Sequence, residues 1–317
     1  MLHALRRAAR RSDQRRFRRA RARRSALRCG RRGAVTSPPT VEPVLHRGIA
    51  CFKLRAGGAS AVVARLGAQV LSWVPADGRE RLFVSERARF DGSVAIRGGI
   101  PVCFPQFSGL GALPKHGLVR TRVWNVLPQE PSGATARVGL EIRDDADSRG
   151  HWPHSFVARI DVGLREDGLE VALTVRNTGA APFAFTGALH TYFAVEDIAA
   201  ASVRGLAGCE YRDAAGGNAI CTESAPAVRF DGEVDRVYHD TPRRLALQDG
   251  PHALEIGAQG FPDTVVWNPG AILCAGLPDM EPRGYRRLIC VEAAAARRQI
   301  GVAAGECWRG SQSLAVA

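Results

Sequence analysis

Seven side chains between residues 97 and 292 have the types needed for proton transfer on an anionic substrate. His190 ends the apolar run Gly187-Ala188-Leu189, and Glu292 follows Leu288-Ile289-Cys290-Val291. An imidazole can give a proton and a carboxylate can take one, provided both reach the same substrate. A carboxylate after such an apolar run is costly unless it is paired or functional. Each residue also has a plainer reading: His190 as a core histidine bonded to backbone, and Glu292 as a strand residue whose parity turns it to solvent. Asp235 lies beside Arg236, and an acid next to a base reads first as an exposed ion pair.

The stretches Arg97-Gly98-Gly99-Ile100-Pro101 to Phe107 and Lys115-His116-Gly117-Leu118-Val119-Arg120 set cations among glycines, prolines and aromatics. Arginine presents a planar fork that grips phosphate oxygens in pairs, and glycine lets backbone N–H groups approach a ligand. A loop of this composition suits an anion; a tight turn with its arginines facing water fits it too. His151 and His154 suggest a metal site, but Pro153 between them prevents the helix that would put both on one face. Trp267, before Asn268-Pro269-Gly270, reads as core or as a flat face for a sugar ring. The chain carries no phosphate-binding P-loop, no Gly-x-Ser-x-Gly elbow and no dinucleotide fingerprint, so no cofactor and no metal are expected.

The elements that must position these residues read as short strands. Ala158, Ile160, Val162 and Leu164 alternate with polar or small residues, then Leu169, Val171, Leu173 and Val175 do the same, with Asp167-Gly168 between them. That is the pattern of a β-hairpin. Similar runs occur at 61–73, 137–143, 182–189 and 288–291, and long helical periodicity is absent. Many strands with turn signals predict one all-β domain, an antiparallel sandwich or barrel. The segment 36–43, Thr-Ser-Pro-Pro-Thr-Val-Glu-Pro, reads as a linker, so the folded domain is expected over 44–317 after a leader over 1–43.

The 317 residues carry a net charge of +13, the level of a nucleic-acid binder, but its distribution argues otherwise. Residues 1–35 hold fourteen arginines against the single acid Asp13, which accounts for all thirteen charges and leaves the remainder balanced. A nucleic-acid footprint on a folded face is therefore not expected. The arginine-rich head reads as a transit peptide, a disordered nucleic-acid-binding arm, or an extension from a misassigned start codon. No run of 18 apolar residues occurs, so no membrane helix is expected. The eight cysteines form no Cys-x-x-Cys pair and fit a reducing compartment. A cytoplasmic protein is expected, or an organellar one if the head is a transit peptide.

Taken in order, several motifs resemble the D-hexose-6-phosphate mutarotases (glucose-6-phosphate 1-epimerases) of the aldose 1-epimerase superfamily. They are Arg97-Gly98-Gly99-Ile100-Pro101 with Phe104-Pro105-Gln106-Phe107, His116-Gly117-Leu118-Val119-Arg120, Trp152-Pro153-His154, His190-Thr191-Tyr192-Phe193, Gly232-Glu233-Val234-Asp235-Arg236, Asp263-Thr264-Val265-Val266-Trp267-Asn268-Pro269 and Cys290-Val291-Glu292. The resemblance implies a large antiparallel β-sandwich of the galactose-mutarotase type acting on a hexose 6-phosphate, and a monomer is expected. It implies His190 as general acid, starting protonated, and Glu292 as general base, starting ionised. It also implies Arg97, Lys115, Arg120 and Asp235 as substrate-binding residues, with His116 beside the pocket. Two departures stand out: Lys115 replaces a frequent glutamine, and Gly270 replaces a frequent aromatic. The rival readings are an aldose 1-epimerase of free hexoses, a non-catalytic carbohydrate-binding sandwich, and nucleic-acid binding through the leader.

Overall fold

The alternating runs become strands because each hides one face and wets the other. In the computed structural model, which describes residues 38–128 and 133–317, Phe156–Leu164 and Gly168–Asn177 pair antiparallel from Phe156 opposite Asn177 to Leu164 opposite Leu169. Ala158, Ile160, Val162 and Leu164 are buried, while Arg159 and Asp161 between them are only half-buried. The Arg165 N–H closes the expected turn on the Gly168 carbonyl at 2.8 Å. The arginine-rich head lies outside the described residues.

Three sheets, with every strand pairing antiparallel, form a β-sandwich of the expected class. Strands Thr40–His46, Ile49–Ala56, Ala59–Ala64 and Val70–Val74 pair in chain order, and the other two sheets have eight and nine strands. Their apolar faces meet in one core that includes Leu54, Trp73, Leu140, Ile160, Phe185, Tyr238, Val266, Ile289 and Val291.

Three expectations change in detail. The linker reading of 36–43 fails over its second half, because Thr40–His46 is a strand and Pro43 stands opposite Phe52. This strand is at the edge of its sheet, where a missing N–H is tolerated. The run 61–73 is two strands joined by a turn, and the apolar run 288–291 is only the start of the strand Leu288–Val302. Pro153 follows the short helix Ala146–His151, leaving His151 exposed while His154 packs edge-on against Trp152.

Strand parity in the eight-stranded sheet makes the site. Val291 and Ala293 face the main core, so Glu292 must face the other way, together with Val265, its cross-strand partner. On that side a second, smaller apolar cluster, containing Cys103, Phe107, Val237, Val265 and Ala294, forms the floor under the loop 104–118.

Candidate active site

His190 occupies the bend between strands Phe183–Leu189 and Tyr192–Ala194, where its N–H donates to the Pro101 carbonyl at 2.9 Å. The neighbouring strand Leu288–Val302 pairs with both, placing Tyr192 opposite Cys290 and Leu189 opposite Ala293. Glu292 lies between those two registers and therefore meets the bend. His190 Nε2 is 3.3 Å from Glu292 Oε1, and the Glu292 side chain is 1% exposed. Parity does turn Glu292 away from the core, as its plainer reading supposed, but toward a covered pocket rather than solvent.

The loop above is held shut by its own hydrogen bonds. Buried Gln106 donates to the carbonyls of Ser108 and Leu113 and accepts from the Leu113 N–H, all at 3.0 to 3.1 Å. His116, at φ 66°, packs edge-on against His190 with ring centroids 5.2 Å apart. Its Nδ1 accepts from the Ser108 N–H at 3.2 Å, so the neutral ring carries its proton on Nε2. Burial first, then the charges of Arg120, Lys115 and Arg97, push its pKa down to about 3.

The cavity measures about 280 Å³ and combines these groups with Lys115, Arg120, Asp235, Tyr192 and Trp267. All seven residues singled out in the sequence line it. Asp235 and Arg236 do not form an exposed pair: adjacent strand residues point to opposite faces, so Asp235 lines the cavity while Arg236 Nη1 binds Glu223 at 2.9 Å.

The cations are not equivalent. Arg97 is held by Asp279 through Nε and Nη2, at 3.2 and 3.1 Å, and donates from Nη1 to the Tyr192 hydroxyl at 3.2 Å. Lys115 and Arg120 have no acidic partner among the described residues, and Arg120 Nη2 instead donates to the Lys115 carbonyl at 2.8 Å. Arg212, on the same wall, binds the amide oxygen of Asn218. Nor does the Gly99 backbone of the arginine loop face an anion. Gly99, at φ 64°, gives its N–H to the Phe83 carbonyl, and a Cβ there would lie 2.1 Å from the Val70 oxygen. It permits two chain segments to cross, which corrects the expectation that its backbone faces a ligand.

Burial works against the expected resting charges of the pair. Desolvation, aided by His116, Arg120 and Arg97, pushes His190 well below its ordinary 6.5. Desolvation and the Asp235 charge push Glu292 well above 4.5, with Arg120 and Lys115 opposing. Both directions oppose the imidazolium and carboxylate form and favour the neutral pair, with one proton held by Glu292. Among the described residues no group of three or more His, Cys, Asp or Glu gathers as a metal site.

Residues 50–315 match the family model described as Aldose 1-epimerase. The chain belongs to the aldose 1-epimerase family. A protein of Cenchrus ciliaris named "Putative glucose-6-phosphate 1-epimerase" is 37% identical over 292 residues, covering 88% of this chain and 86% of its own length. One of the same name from Escherichia coli K12 is 32% identical, covering 72% and 77%. The crystal structure of a "putative mutarotase" from Salmonella typhimurium superposes with a TM-score of 0.81 at 27% identity, covering 87% of this chain and 93% of that one.

In this epimerase the unusual Gly270 opens the helix Gly270–Ala275 at φ 60°, and a Cβ there would lie 2.7 Å from the Glu233 nitrogen. A side chain at this position would run into that backbone, so Gly270 is not a removed wall of the pocket. Sequence reasoning missed three participants. Tyr192 stood inside a quoted motif without a role, Arg212 reads as an exposed strand residue beside Asp213, and Asp279 lies in a Pro-Asp turn that no pattern links to Arg97.

Proposed function

We propose that this epimerase interconverts the α and β anomers of hexose 6-phosphates, chiefly glucose 6-phosphate, by acid and base catalysis at His190 and Glu292. The observation that carries this reading is the company the pair keeps. Lys115, Arg120 and Arg212 line the same cavity, and none has an acidic partner among the described residues. Against them stand only Asp235 and Glu292, which leaves a surplus of positive charge suited to a phosphate, itself carrying nearly two negative charges at neutral pH.

Ring opening needs one proton removed and one delivered. The shared proton passes from Glu292 to His190 across their 3.3 Å contact. Glu292 then takes the proton of the C1 hydroxyl while His190 protonates the ring oxygen, and the C1–O5 bond breaks to leave the aldehyde. Rotation about C1–C2 presents its other face, and closure with the two residues in exchanged roles gives the other anomer. No net proton is gained or lost. Asp235 and His116 contact sugar hydroxyls, Trp267 offers its ring face, and the phosphate grip supplies orientation at a distance from the reacting atoms.

The deciding measurement follows freshly dissolved α-glucose 6-phosphate beside α-glucose and α-galactose. Acceleration mainly of the phosphate ester is expected. Equal acceleration of free hexoses would favour the general aldose epimerase, and binding without acceleration a carbohydrate-binding sandwich.

A further inference from the structure

No hydrogen bond fixes His190 from behind. Its Nδ1 is buried with no partner among the described residues, and its Nε2 faces Glu292. Ring orientation must therefore come from packing. The imidazole lies flat on the Tyr192 ring, with centroids 4.7 Å apart and planes 8° from parallel. What fixes Tyr192 then fixes His190.

Tyr192 is 3% exposed, and its hydroxyl accepts from Arg97 Nη1 at 3.2 Å. The opposite edge of that guanidinium is gripped by both carboxylate oxygens of Asp279. Asp279 is itself anchored, since the next residue, Met280, is buried in a cluster that also holds Tyr192, Phe83 and Cys290. A bidentate carboxylate pair fixes a guanidinium in plane and direction, which a single contact cannot do.

We propose that Asp279 is a positioning residue for His190, acting through Arg97 and the Tyr192 hydroxyl. The chain Asp279, Arg97, Tyr192, His190 runs from a rigid turn to the imidazole, and its role rests on the assignment of His190 as an acid and base. Arg97 is then set apart from Lys115 and Arg120. Three of its five N–H groups are engaged by Asp279 and Tyr192, so it governs turnover more than phosphate affinity.

The variants Asp279→Asn, Tyr192→Phe and their combination test this by kcat and KM on α-glucose 6-phosphate and α-glucose. Asparagine keeps one acceptor and loses the bidentate charge; phenylalanine keeps the stacked ring and loses the hydroxyl. Each single change is expected to lower kcat about 10- to 100-fold on both sugars, with KM for the phosphate ester within about twofold. The double variant is expected to be no worse than the poorer single one within about twofold, because both act through one path. Unchanged kcat, losses that multiply in the double variant, or a rise in KM confined to the phosphate ester would each overturn the proposal. A second readout does not depend on turnover. In protein with ¹³C-labelled histidine, the His190 ring signal is expected to move or broaden in both single variants, and an unmoved signal sinks the positioning role. A wild-type protein that accelerates no hexose would instead overturn only the proposed function.

Discussion

His190 Nε2 stands 3.3 Å from Glu292 Oε1, with the two side chains 10% and 1% exposed. In the proposed mechanism one proton serves both, so neither residue works without the other. Alanine at either position is expected to cut anomerisation of glucose 6-phosphate by about 10²- to 10⁴-fold. The double alanine variant should lose little more than the worse single one, since residues acting as a unit are not additive. Coupled stopped-flow measurement of β-anomer formation checks both statements.

The pH dependence follows from the directions of the two shifts. Adding a proton to the neutral pair charges His190, whose pKa lies well below 6.5, and so removes the base. Removing a proton ionises Glu292, whose pKa lies well above 4.5, and so removes the acid. Activity is therefore expected as a bell, with an acid limb below 6.5 and a basic limb raised far from the ordinary carboxylate range; the apparent values belong to the pair. Asp235 raises the Glu292 pKa by its charge, so Asp235→Asn should move the basic limb downward. A profile with its acid limb above 6.5 would contradict the lowered His190 pKa.

In the proposed function Lys115 and Arg120 act on the phosphate and not on the ring. Losing a charge-assisted contact is worth about 1.5–3 kcal/mol, so Arg120→Ala should raise KM for glucose 6-phosphate roughly ten- to hundredfold. Turnover of free glucose should stay near wild type. Lys115→Gln should act in the same direction with a smaller effect, and in both variants the salt sensitivity of KM should fall. Parallel kinetics on both sugars at two ionic strengths provide the comparison.

Much of this site was legible because its residues sit at the ends of regular elements. Glu292 follows an apolar run and His190 ends one, and the motifs around them carry the family resemblance, so both could be named from the sequence. What could not be named was whatever covers them. Parity says that Glu292 leaves the core, but only the loop 104–118, stapled by Gln106, turns that outer face into a closed pocket. The direction of the two pKa shifts was out of reach for the same reason: desolvation depends on the cover, and the cover is long-range. Asp279 is 182 residues from Arg97 in the chain, beyond the reach of any local pattern. The edge strand Thr40–His46 was lost to Pro43 and the Pro38-Pro39 pair before it, since proline marks a linker and a sheet edge alike.

Glu292 should also cost the protein stability. A carboxyl whose folded pKa is raised contributes most when protonated. Between the unfolded value near 4.5 and the folded value, the native state binds more protons than the unfolded one, so stability falls as pH rises, by up to about 1.4 kcal/mol per pH unit. Above the folded pKa the penalty levels off. Glu292→Gln keeps the shape and removes the ionisation, so it should be nearly inactive yet more stable than wild type, with an advantage that grows from pH 5 toward pH 8. Denaturant unfolding at a series of pH values measures the difference directly. A gap that stays constant with pH would mean that Glu292 is already ionised in the folded protein, and the neutral pair would have to be abandoned.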